Sequence, residues 1–151
     1  MKKLILPVAV LAMIVLLGVA VTVDCVRLAA AARGRVQIAD AELQKHELRL
    51  IELLSGSPLL SSDVRSAITA YQGAASPPAR HEAYGKLVAE FRRTMSSKVD
   101  PTNPLDRQFM DEIAGAINRR EIAQKSYDDE LAPYEEFSNS TRGRIARWFS
   151  P

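Results

Sequence analysis

Residues 4–23 read LILPVAVLAMIVLLGVAVTV and contain no charged or amide side chain. About 20 residues at ~1.5 Å rise each match the ~30 Å hydrocarbon core of a bilayer. Lys2 and Lys3 precede this apolar run, and Asp24 and Arg27 follow it. We therefore predict a transmembrane helix over the apolar run, flanked by these four charged residues.

Two alternatives to a retained anchor stay open. A cleaved secretory signal has a basic start, an apolar region of ~7–15 residues and a small-x-small cleavage site. The basic start, together with Gly18 and Ala20, fits that description. A lipoprotein signal would end at Cys25, but it needs small residues before the cysteine, and Asp24 stands there. Because the apolar run is longer than a cleaved signal needs, we favour an uncleaved signal-anchor.

Charge and composition narrow the function classes. The chain has 20 Lys and Arg against 18 Asp and Glu, and Lys2 and Lys3 account for the whole excess. The water-facing part is therefore neutral overall, so we expect no nucleic-acid partner. Cys25 is the only cysteine, and His46 and His81 are the only histidines. We therefore expect no internal disulfide, no metal site and no other bound cofactor.

Apolar residues recur at helical spacing through the rest of the chain, and no segment alternates with a period of two. The first predicted helix, residues 24–54, continues the membrane helix outward with the three-, four- and seven-residue steps typical of a coiled coil. A second helix is expected at about residues 63–75 and a third at about 78–97, and a fourth begins at Asn103. The predicted fold is all-α: an N-terminal transmembrane helix continuing into an up-down antiparallel bundle of about four helices.

Turn-forming and capping residues mark the predicted helix ends. We predict that Gly56 takes a left-handed conformation after helix one. Ser61 or Ser62 is expected to cap helix two, and Asn103 to cap helix four. Pro133 is expected to kink or loosen the end of helix four.

The chain is thus predicted to consist of four parts. They are a short basic flank at residues 1–3, the transmembrane helix at 4–23, a helical bundle at 24–137 and a basic, aromatic tail at 138–151.

Helix four contains a recognisable motif. Residues 112–119 read EIAGAINR, and Tyr127-Asp128 and Tyr134-Glu135 follow, seven residues apart. This pattern resembles the bacterial LemA family, whose last long helix reads E-L-x-x-T-E-N-R-I, followed by two Tyr-Asn dipeptides seven apart and a Phe-Pro. His46-Glu47-Leu48 is similar to the His-Asp-Leu of that family's first long helix. The resemblance implies a bacterial membrane-anchored helical bundle with no catalytic residues to carry over.

The chain departs from the LemA pattern at several positions. Arg49 begins the segment where the family has Pro-Asn after His-Asp-Leu. Asp128 and Glu135 replace the two asparagines. Ile117 replaces a glutamate, and Ser138 stands in place of the proline.

The motif residues of helix four are candidates for partner contact. Tyr127 and Tyr134 lie on one helix face, where they either pack in the core or form a partner-contact ridge. Glu112, Asn118 and Arg119 complete the predicted family-motif and partner face.

The histidines and the acidic residues suggest no catalytic group. His46 lies near the seam of helix one, as a hydrogen-bonded core or rim residue, or alternatively as a pH sensor or ligand contact. His81 is expected to be solvated. The acidic residues at 128–130 and 135–136 fan out around a helix, so we expect a solvated face and no cation site there.

The C-terminal tail combines positive charge with aromatic rings. No acid follows Glu136, and the tail carries Arg142, Arg144, Ile145, Arg147, Trp148 and Phe149. Trp and Phe favour the headgroup boundary, and each arginine near anionic lipid contributes ~1 kcal/mol. We predict an interfacial membrane contact here, with a frayed terminus as the alternative.

We expect a single-pass interaction or scaffold protein of the bacterial cell envelope, bound to the inner membrane. A very short basic N-terminal flank favours insertion with the helical domain outside the cytoplasm. Other envelope proteins are the expected partners, and self-association into a homo-oligomer stays open. No enzymatic activity is expected, since no nucleophile–base pair is visible. The alternative is a small-ligand binding or sensing module with an inter-helix pocket near His46.

Overall fold

The computed structural model describes residues 2–57, 60–95, 99–100 and 102–149, with side chains from residue 10 onward. Five α-helices account for nearly all of these described residues. They are α1 (Lys2–Ser55), α2 (Ser62–Gln72), α3 (Pro77–Met95), α4 (Pro104–Asn139) and α5 (Thr141–Phe149). No β-strand occurs in these ranges, so the predicted all-α fold class is confirmed.

Helix α1 runs without interruption from the apolar segment into the polar one, as predicted. Of the helices in the described ranges, it alone is long and apolar enough to cross a membrane. Only 6% of its most apolar 18-residue window is buried. The large apolar side chains between Val10 and Val23 are 44–69% exposed. The apolar segment of α1 is therefore not a core element of the fold.

The predicted N-caps are confirmed. Ser61 Oγ accepts the backbone N–H of Val64 at 3.3 Å, and Asn103 Oδ1 accepts that of Leu105 at 3.0 Å. These side chains satisfy N–H groups that a first helical turn leaves without a partner.

Two predicted helix ends are wrong. No glycine in the described residues has a positive φ, so Gly56 is not left-handed. Helix α1 ends instead through bonds from Gly56 N to Glu52 O (3.1 Å) and from Ser57 N to Leu54 O (3.0 Å), which a right-handed turn provides. Helix α2 ends at Gln72, before the predicted residue 75. Gly73 caps this end, and its backbone N–H donates to the Thr69 carbonyl oxygen at 3.0 Å.

The C-terminal part of the chain is helical on both sides of Pro133 and again in the tail. Helix α4 continues through Pro133 to Asn139, so the proline does not end it. The tail forms α5, a helix that the apolar spacing did not predict. Ser140 starts this helix: its Oγ accepts Gly143 N at 3.1 Å, and its carbonyl accepts Arg144 N at 3.0 Å.

The chain divides into two compact units. The terminal unit comprises residues 1–39 and 127–151, and the central unit comprises residues 40–126. Helices α1 and α4 each contribute to both.

The central unit is an antiparallel helical bundle. Ion pairs join α2 to α3 (Asp63–Arg93, 2.7 Å) and α1 to α4 (Glu47–Arg120, 3.0 Å). The core follows the apolar faces expected from the sequence. Its fully buried members are Leu50, Leu54, Val64, Leu87, Phe91, Ile113 and Ala116.

The terminal unit brings the end of α4 and α5 beside α1. Arg35 on α1 pairs with Glu130 on α4 at 3.0 Å. Ala29 and Ala30 on α1 share a cavity of about 190 Å³ with Tyr134, Ala146 and other residues of α4 and α5. The predicted return of helix four alongside helix one is thus confirmed within this unit.

Candidate functional site

A carboxylate lies in the middle of the leucine-rich face of α1. Glu47 is fully buried, on the same face as the buried Leu43, Leu50 and Leu54. Its Oε1 accepts hydrogen bonds from Arg120 Nε (3.2 Å) and Nη2 (3.0 Å). Its Oε2 accepts the Tyr71 hydroxyl at 2.9 Å. Both oxygens are therefore satisfied, which offsets the cost of removing the charge from water.

Two tyrosines complete this buried polar cluster, which we define as Glu47, Tyr71, Tyr84 and Arg120. The Arg120 guanidinium lies 4.5 Å from the centre of the Tyr84 ring, a cation–π contact. Burial raises the pKa of Tyr84 to about 12. Burial, followed by the hydrogen bond to Glu47, raises the pKa of Tyr71 as well. Both rings therefore stay neutral at ordinary pH.

A second, less buried ion pair lies in the same unit. Arg80 Nη2 contacts both carboxylate oxygens of Asp40, at 2.7 and 2.8 Å. The His81 side chain is 20% exposed, and its Nε2 lies 3.9 Å from Asp40 Oδ1. The expectation that His81 is solvated is wrong, because the first turns of α3 pack beside α1. Burial, reinforced by the charge of Arg120, lowers the pKa of His81.

The two ion pairs match charges one for one. Glu47 pairs with the guanidinium of Arg120, and Asp40 pairs with that of Arg80. In the part of the chain that the structure describes, no three His, Cys, Asp or Glu side chains lie close enough to hold a metal ion. Displaced pKa values can mark active sites, but structural ion-pair networks produce them as well. The Glu47–Arg120 pair of this cluster can fix how α1 aligns with α4, because the two side chains meet in one alignment of the helices.

His46 lies outside this cluster. Its side chain is 22% exposed, and its Nε2 lies 3.3 Å from Glu42 Oε1, one turn earlier on the same helix. Lys45, and to a lesser extent His46, lowers the pKa of Glu42. Glu47, the next residue, is the one that enters the seam. The pocket near His46 stays a prediction.

The LemA-like residues of α4 separate into exposed and packed ones. Glu112, Asn118 and Arg119 are exposed, whereas Tyr127 is 8% exposed and Tyr134 is half-buried. Tyr127 therefore packs inside the terminal unit, and the exposed residues of the predicted partner face lie on the first half of α4. The partner-contact role of this face stays a prediction.

The anchor flank lies entirely on α1. Asp24 and Arg27 are exposed. Lys2 and Lys3 fall in the first turn of α1, before the first described side chain. Cys25 is 1% exposed, so its thiol is inside the terminal unit.

Helix α5 presents charged and aromatic side chains outward. Gly143 and Ala146 are buried, and Ile145 is half-buried. Arg142, Arg144 and Arg147 are exposed, and Trp148 and Phe149 are 87% and 63% exposed. The predicted tail residues are thus displayed on an ordered helix.

A glycine sets the close approach of α5 to the end of α4. A Cβ on Gly143 would lie 2.2 Å from the Phe137 carbonyl oxygen and 2.8 Å from Ser138 Cα, closer than any side chain tolerates. Arg147 Nη2 also donates to the Ser138 carbonyl at 2.8 Å. Together with the Ser140 cap, these contacts fix the direction of α5.

Comparisons with protein-family models, with curated proteins and with solved structures gave no match to this chain.

Proposed function

We propose that this chain is a single-pass membrane-anchored helical scaffold protein of the bacterial cell envelope, acting through partner contacts and without catalytic activity. The observation that carries the proposal is the exposure of the apolar side chains from Val10 to Val23, which are 44–69% exposed. Apolar surface in water costs about 25 cal/mol per Å². A core helix of a water-soluble protein buries such a face, whereas lipid covers it in a membrane.

The continuity of α1 supports a retained anchor. The helix passes through Gly18 and Ala20, the candidate cleavage region, and runs on to Ser55. Cys25, a few residues further, is buried in the terminal unit. Cleavage near Ala20 would therefore require local unwinding of a continuous helix.

We place the chain in the inner membrane, with the helical units outside the cytoplasm. Lys2 and Lys3, directly before the apolar run, favour a cytoplasmic position for that flank and so this orientation. Alkaline phosphatase or a fluorescent protein fused after Pro151 tests it. An active phosphatase with a dark fluorescent protein is expected, and the reverse pattern would contradict the assignment.

We also propose kinship with the LemA family. It rests on the motif residues at 112–119, on Tyr127 and Tyr134, and on the order of elements: an apolar helix, a long first helix, two short helices and a long last one.

The exposed motif residues are the proposed partner surface. Glu112, Asn118 and Arg119 lie on α4, outside the core. A photo-crosslinking amino acid at position 118, in the full chain in its own membrane, should give discrete adducts. The same amino acid at Ser66, exposed on α2, is the matched control. Equal labelling from both positions, or none from position 118, would contradict a partner site on α4.

A further inference from the structure

We propose that α5 is an interfacial helix whose outward face binds the anionic lipid headgroups of the bilayer that α1 spans. This inference rests on the proposed membrane anchor and adds a second lipid contact, made by the last helix of the chain.

The burial pattern of α5 defines its outward face. Gly143 and Ala146, three residues apart, face the terminal unit. Arg144 and Trp148, four residues apart, share the opposite side, since residues spaced by four lie one above the other on a helix. Trp148 is 87% exposed. A tryptophan beside arginines is the combination that the headgroup region accommodates, because the ring is amphipathic and the lipid phosphates are anionic.

The charge of α5 is not compensated by the protein. Residues 137–149 contain three arginines and no acid. Among the described residues, Arg142 and Arg144 form no ion pair, and Arg147 bonds to a neutral carbonyl. Five arginines elsewhere in the described part of the chain pair with carboxylates: Arg35, Arg49, Arg80, Arg93 and Arg120. Others, such as Arg65 and Arg92, are exposed on helices that also carry acidic residues. Unlike α1 to α4, helix α5 carries basic residues and no acid of its own, so its positive charge complements anionic headgroups.

The position of α5 along α1 is close to the outer edge of the headgroup layer. Ala146 lines the same cavity as Ala29 and Ala30 on α1. Ala29 lies six residues after Val23, the last residue of the apolar run, which is ~9 Å along the helix. The polar layer of a bilayer extends roughly 5–8 Å beyond each side of the hydrocarbon core. With the apolar run in the bilayer, Ala29 therefore lies just beyond this layer, and α5 beside it is at the outer edge of the headgroups, within reach of its long arginine side chains.

Trp148 is the only tryptophan of the chain, so its fluorescence reports on α5 alone. The test uses the full chain in vesicles of phosphatidylcholine, with or without phosphatidylglycerol, carrying brominated acyl chains as quenchers. Iodide in the water phase probes exposure. The variant is Arg142→Gln with Arg144→Gln, which leaves the Arg147 contact in place. The control is Arg65→Gln with Arg92→Gln, both exposed and in the central unit.

We expect bromine quenching and a blue-shifted Trp148 emission in phosphatidylglycerol vesicles. Both signals should be unchanged in the control and lost in the α5 variant.

Iodide quenching with no bromine quenching, in protein that resists alkaline extraction, would overturn the inference and leave the anchor intact. A blue shift without bromine quenching would indicate a contact with protein, such as a second copy, and would also overturn it. Quenching unaffected by phosphatidylglycerol and by the variant would refute headgroup binding. Release of the protein by alkali would refute the anchor itself.

Discussion

Glu47 and Arg120 show how one buried pair can specify how two helices align. The carboxylate is fully buried and the arginine side chain is 13% exposed. A buried ion pair adds little net stability over apolar residues, but breaking it leaves a charge without a partner. The pair therefore penalises any alignment of α1 and α4 that separates the two side chains.

Replacing Arg120 by Met should lower the free energy of unfolding by about 3–5 kcal/mol, because Glu47 stays buried without its counter-charge. Adding Glu47→Leu should restore much of that loss. Denaturant unfolding of the full chain in detergent, followed by circular dichroism, measures both. Glu130→Gln is the control: it removes an exposed pair, 58% and 39% exposed, and should change stability by only ~0–1 kcal/mol. A loss at Arg120 no larger than at Glu130 would contradict the buried-pair account.

His81 should make stability depend on pH. Burial lowers its pKa in the folded state below its ordinary value, because it outweighs the opposing charges around the ring: Glu47 and Asp40 raise the pKa, and Arg120 and Arg80 lower it. The unfolded chain then binds a proton more readily than the folded chain, so stability is full above the ordinary histidine pKa of about 6.5 and falls as the pH drops through the folded value. Removing the imidazole in His81→Gln should flatten this fall. Unfolding curves at a series of pH values from about 7 to 5 compare the two proteins, and parallel pH profiles would refute the assignment.

At the scale of the elements, α5 depends on a glycine that the sequence alone did not single out. Gly143→Ala places a Cβ 2.2 Å from the Phe137 carbonyl oxygen, so α5 must move away from α4 or unwind. We expect the Trp148 emission and the protease sensitivity of the tail to change. Gly85→Ala is the matched control, since nothing lies within 4 Å of its Cβ. Alanine at that exposed position of α3 should add up to ~1 kcal/mol of stability. Equal effects of the two changes would contradict the seating of α5.

The apolar spacing predicted α1 to α4 because each buries a face of Leu, Ile, Val or aromatic residues. The N-cap residues Ser61 and Asn103 marked where α2 and α4 begin. Helix α5 lacks such a face, since its buried residues are Gly143 and Ala146, which carry little or no side chain.

The buried polar cluster was missed for a different reason. Glu47 and Arg120 are 73 residues apart in the sequence and lie on different helices. Helical periodicity shows only which residues of one helix share a face, so it could not predict this pair. The one available sequence signal was the position of Glu47, a carboxylate on the leucine-rich face of α1.

For the whole molecule, the apolar run should determine where the chain resides. Leu16→Arg places a charge near the middle of the run, where insertion costs roughly 2.5–3.5 kcal/mol. We expect a smaller fraction of the chain in alkali-washed membranes. Ile38→Arg, on the same helix but beyond the run and 73% exposed, should leave that fraction unchanged. Equal partitioning of both variants would contradict a lipid-spanning role for the run.

The most direct measurement is the intact mass of the natural protein recovered from alkali-washed membranes. A retained anchor predicts a membrane-bound chain that includes residues 4–23. A chain found free of the membrane that begins after Ala20 would contradict the account, because the apolar half of α1 would then be a discarded signal.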